Sequence, residues 1–101
     1  MKNTELFPEA VISKKVLFEG QVQGVGFRYT VKELAKGFEI TGNIKNLPNG
    51  TVELQVRGER SEVKEFLHEI VEESEVAHHI KSTSEESLVD LGNEITGFTI
   101  C

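Results

Sequence analysis

"EITGNIKNLPNGTVELQVR", residues 39–57, reads as two strands joined by a tight turn. In the first strand Ile40, Gly42 and Ile44 share one face, and Thr41, Asn43 and Lys45 share the other. The second alternates in the same way, with Val52, Leu54 and Val56 facing inward and Glu53, Gln55 and Arg57 outward. Between them "LPNG" (47–50) carries the residues of a hairpin turn. Strands covered on both faces would be apolar on both. This alternation therefore predicts an antiparallel sheet with one solvated face.

The flanks supply what covers the other face. Upstream, "KVLFE" (15–19) is a short apolar run bounded by glycine, and reads as a buried strand. Phe27, Val31, Leu34, Ala35 and Phe38 then recur at helical spacing, so a helix is expected from about residue 27 to Lys36, with Gly37 as its stop. Downstream, Ser61 is expected to cap a second helix whose apolar stripe is Val63, Phe66, Leu67, Ile70 and Val71. A weaker strand is expected near "HHIKSTS" (78–84) and a last one at "GFTIC" (97–101). The intervening "EESLVDLGNEIT" (85–96) supports no assignment. Two β-α-β units joined by a hairpin make a ferredoxin-like α/β sandwich (βαββαβ). Both helices would lie on one face of a mostly antiparallel sheet of four to five strands.

The chain has 101 residues, enough for one domain and too few for two. Residues 1–13 are expected to be an extension and residues 14–101 the domain. Hydrophobic residues make up 38% and charged residues 28%, the balance of a soluble globular protein. A formal net charge of −6 argues against general binding to nucleic acid or to an anionic membrane. An anionic ligand would have to be attracted by a local site. The single cysteine, Cys101, permits no disulfide within the chain and fits a reducing, cytoplasmic setting. "MKNTELFPEA" has no apolar run, so neither a signal peptide nor a membrane anchor is expected there.

Between the first strand and the first helix lies "GQVQGVGFR" (20–28). A glycine-rich turn ahead of a helix can offer successive backbone N–H groups to an anion, helped by the partial positive charge of the helix N-terminus. Arg28 follows in the first helical turn with a planar fork of donors suited to phosphate oxygens. On spacing alone, the stretch serves equally as a tight β-to-α connection. It lacks the Gly-Lys-Ser/Thr ending of a Walker loop and does not fit GxGxxG. Asn46 shares the parity of Ile40, Gly42 and Ile44, so it points toward the helix-covered side at the end of its strand. An amide there either bonds the turn backbone or faces a ligand.

The segment 20–28 closely resembles the signature of the acylphosphatase family: a glycine, then Val-Gln-Gly-Val, one variable residue, then Phe-Arg. The family's second motif, a glycine followed four positions later by asparagine, is matched by "GNIKN" (42–46), and "NGTVE" (49–53) resembles the turn and strand that follow it. The resemblance runs through nearly all of residues 14–101. It implies a small cofactor-free and metal-free hydrolase that cleaves acyl phosphates to a carboxylate and inorganic phosphate. It further implies that Arg28 and the loop formed by Gln23, Gly24, Val25, Gly26 and Phe27 hold the phosphoryl group, while Asn46 positions the attacking water. The small-molecule acyl phosphate would be the partner, with inorganic phosphate as product and competitive inhibitor. No nucleic acid, no membrane and a monomeric state are expected. The alternative is a non-catalytic anion-binding or regulatory module of the same fold. Two departures stand out: Gln21 where the family commonly has arginine, and Asn43 where an aromatic often follows the glycine. They bear on affinity and stability more than on the two expected catalytic residues.

Neither motif holds a histidine, cysteine or carboxylate to act as base or nucleophile. An asparagine amide can orient water but cannot take its proton. Catalysis would then rest on positioning and charge stabilisation, which suits a substrate that expels a weakly basic carboxylate. His78 and His79 would point to opposite faces of a strand, and His68 stands alone on the second helix, so none is expected to bind metal. Cys101 is expected to be incidental. "QGVGFRYT" (23–30) superficially resembles an RNA-binding octapeptide, but the third strand, where such aromatics lie, has none.

Overall fold

The computed structural model describes residues 10–89 and 96–101. Its elements in chain order are β1 (Val11–Gly20), α1 (Phe27–Ala35), β2 (Ile40–Asn46), β3 (Val52–Glu59), α2 (Arg60–His68), β4 (Ile80–Leu88) and β5 (Phe98–Ile100). A π-helical turn, Glu69–Glu73, continues α2, and a 3-10 turn, Ala77–His79, leads into β4. The five strands form one sheet in the order β4-β1-β3-β2-β5. Every pairing is antiparallel except β2 with β5. This is the ferredoxin-like α+β arrangement that the hairpin and its flanks predict.

The hairpin sets the register. Ile44 sits opposite Leu54 and Asn46 opposite Val52, so the inward-facing residues of both strands meet on the helix side. Val52, Leu54, Val56 and Ile44 are fully buried there with Val16 and Phe18 of β1. From α1 come Phe27 and Val31, and from α2 Val63 and Phe66. Phe66 packs against Phe38 and Phe98, at 5.5 and 5.9 Å between ring centroids, and so joins α2 to the segment after α1 and to β5. Gly42 faces the main chain of β3 so closely that a Cβ there would fall on the Gln55 carbonyl. That close approach is why the second motif begins with glycine.

Several local expectations are corrected. Ser61 does not cap α2; Glu59 occupies that position, with no side-chain cap. β3 stays paired with β1 through Gly58 and Glu59, and the chain turns directly into the helix, with the Arg60 N–H bonded to the Ala10 carbonyl at 3.1 Å. Gly37 does not stop α1 by turning left-handed. The helix closes through tightened bonds from the amides of Lys36, Gly37 and Phe38 to the carbonyls of Glu33, Leu34 and Ala35. His78 and His79 do not lie on opposite faces of a strand. They belong to the 3-10 turn, where successive residues rotate by less than in a strand, and their rings stack 4.0 Å apart. β1 starts at Val11, three residues ahead of the boundary expected at Lys14. β4 extends through Leu88 into the stretch left unassigned. The rest of that stretch from 90 to 95, and residues 1–9 of the expected extension, lie outside the described residues.

Candidate active site

The loop after β1 is shaped by two glycines in the left-handed region, Gly24 at φ 80° and Gly26 at φ 78°. A Cβ at either would meet nothing within 4 Å, so the requirement is conformational and not steric crowding. Gly26 is the N-cap of α1 and offers no side chain, so the N–H groups of the first helical turn receive no side-chain cap. Among the described residues, the amides of Gly24, Val25 and Gly26 are likewise used in no hydrogen bond. A row of unused donors at a helix N-terminus is a seat for an anion.

Phe27, the first residue of α1, is buried and packs on Phe18 of β1 with ring centroids 5.1 Å apart. With Phe27 fixed inward, Arg28 lies about 100° further round the helix, on its open side. Its Nη1 donates to the main-chain oxygen of Cys101 at 3.0 Å. Cys101 is held in turn by its own N–H to the Ile44 carbonyl at 2.9 Å, so the pairing of β5 along β2 brings it to the guanidinium. One fork of Arg28 is thereby tethered while its other donors stay available.

Asn46 ends β2. The turn beyond it is closed by Leu47 N–H to the Thr51 carbonyl at 2.9 Å, and by Asn49 Oδ1, which accepts from the Thr51 N–H at 3.1 Å and its hydroxyl at 2.7 Å. Of the two uses open to an asparagine here, Asn49 takes the turn and leaves the exposed Asn46 amide free of it.

Gly24, Gly26, Phe27, Arg28 and Asn46 line one cavity of about 250 Å³. Arg28 is the only charged side chain lining it among the described residues, in a chain of net charge −6. Among the described residues, no histidine, cysteine or carboxylate side chain lines it. Gln23 and Val25, the other two expected site residues, do not line it either. The Gln23 side chain turns away to the β2–β3 turn, and Val25 is partly exposed. Val22, within the loop motif, lines the cavity without having been expected as a site residue, and so do Tyr29 and Ile100. The signal for the last two was available only as position, next to Arg28 and next to Cys101. Elsewhere, no group of three or more His, Cys, Asp or Glu among the described residues could hold a metal. No helix among the described residues is long and apolar enough to cross a membrane.

Free backbone amides, a guanidinium and a carboxamide thus meet at one cavity of a small ferredoxin-like sandwich. Comparison with known proteins is specific. The sequence model of the acylphosphatase family matches residues 14–100. An acylphosphatase of Methanospirillum hungatei is 34% identical over 85 residues, covering 84% of this chain and 88% of that protein. One of Lactobacillus gasseri is 35% identical over 81 residues, covering 80% and 88%. The crystal structure of acylphosphatase from Bacillus subtilis superposes with a TM-score of 0.76 at 26% identity, over 89% of this chain and 98% of that one. The chain belongs to the acylphosphatase family.

Proposed function

We propose that this protein hydrolyses acyl phosphates to a carboxylate and inorganic phosphate, with Arg28 and Asn46 as its catalytic residues. The observation that carries the reading is that these two side chains, from α1 and from the end of β2, reach one cavity beside the unused loop amides. The phosphoryl group sits on the amides of residues 23–28 and on the free donors of Arg28. These neutralise its charge as the bond to the acyl oxygen breaks. The Asn46 amide holds a water for attack on phosphorus opposite that bond. The water's proton passes to a phosphoryl oxygen, and the carboxylate leaves unprotonated because it is a weak base. A phosphate monoester, whose alkoxide leaving group needs a proton, is a poor substrate for such a site.

All the residues named lie in one chain, within 14–101, which favours activity as a monomer. The single cysteine fits a reducing compartment such as the cytoplasm. Inorganic phosphate, as product, competes for the same seat. The test is to incubate the purified protein with benzoyl phosphate and follow benzoate and phosphate together. Equal release of both is expected. Competition by phosphate without turnover would leave an anion-binding module instead.

A further inference from the structure

We infer that Gln23 is a positioning residue, whose side-chain amide pins the turn after Asn46 to the anion loop and sets the distance between them. The inference rests on the hydrolase reading above. Gln23 Nε2 donates to the Leu47 carbonyl at 2.9 Å and to the Thr51 carbonyl at 2.9 Å. An amide NH₂ has two hydrogens, and both are committed. The two acceptors are the residues that close the turn, since Leu47 N–H bonds the same Thr51 oxygen. Leu47 directly follows Asn46 in the chain.

Among the described residues, these two bonds are the only hydrogen bonds joining the loop 22–26 to the turn 47–51. They span 24 and 28 residues of sequence. The loop itself is built around two left-handed glycines and has few other restraints on that side. The Val22 side chain beside Gln23 is buried and lines the cavity, whereas the Gln23 side chain reaches the turn. The Gln23 side chain therefore does not touch the reacting atoms. It acts on them through geometry: the phosphoryl seat is on one side of the tie and the water-holding amide on the other. A misplacement of about 1 Å between such groups can lower a rate by around a hundredfold.

The experiment is a double-mutant cycle on benzoyl phosphate, with Gln23→Met, which keeps length and loses both donors, combined with Asn46→Ala. Gln23→Met is expected to lower kcat by about tenfold or more, while the inhibition constant of inorganic phosphate moves by less than about twofold. In the Asn46→Ala background, where nothing remains to be positioned, the same substitution is expected to lower kcat by less than about twofold. If Gln23→Met unfolds, Gln23→Asn, one methylene too short to reach both carbonyls, replaces it with the same expectations. Full kcat in either folded variant, losses that multiply across the cycle, or a loss confined to phosphate affinity would each overturn the inference alone. A wild-type protein inert toward benzoyl phosphate would overturn the hydrolase reading, and this inference with it.

Discussion

At the scale of single residues, the proposed reaction assigns binding to Arg28 and chemistry to Asn46, and two substitutions distinguish them. Arg28→Lys keeps a charge but loses the planar fork and with it the tether to Cys101. We expect kcat/KM for benzoyl phosphate to fall by about a hundredfold or more, with weakened phosphate competition and a melting temperature within a few degrees of wild type. Asn46→Ala is expected to lower kcat on the order of a hundredfold and leave phosphate competition and melting temperature in place. The stability half of that expectation follows from Asn49, which already holds the turn. Both were legible in the sequence as candidates because each sits in a motif of fixed spacing, and both line the cavity. The Cys101 contact was not, since it is made by main-chain atoms that every residue carries. The direction of the Gln23 side chain was hidden for another reason: in a glycine-rich loop no periodicity tells a side chain where to point.

Elements show how the loop is built and where sequence reading falters. The hairpin could be read because one face is buried and the other wet, which imposes alternation on β2 and β3. β4 gave only a weak signal. It is an edge strand whose interior residues are all exposed, so nothing forces its sequence to alternate. The helix ends misled for a related reason. The cap residues expected by propensity, Ser61 and Gly37, were bypassed where a continuing strand and a tightened last turn satisfied the same groups. Gly26 tests the loop most cleanly. Its φ is left-handed and a Cβ would touch nothing, so Gly26→Ala isolates the conformational term. Urea unfolding should show a loss of about 1–2 kcal/mol. An unchanged midpoint would mean that the cap relaxes without penalty and that the glycine is not needed for the loop's shape.

For the whole molecule, the sheet order brings together parts of the chain that are remote in sequence. β5 joins the sheet beside β2, and through Cys101 it reaches the arginine at the start of α1. The result is a recess in an acidic domain, whose polar lining among the described residues is backbone amides, one guanidinium, one carboxamide and the Tyr29 side chain. Among the described residues Tyr29 is the only side chain lining it that could serve as a nucleophile, and in the proposed reaction the oxygen added to the substrate comes instead from water and arrives at phosphorus. Hydrolysing benzoyl phosphate in ¹⁸O-labelled water with EDTA present tests that claim most directly. An undiminished rate is expected, with one labelled oxygen in the inorganic phosphate and none in the benzoate. Label in the benzoate, or a rate abolished by EDTA and restored by a divalent ion, would contradict it.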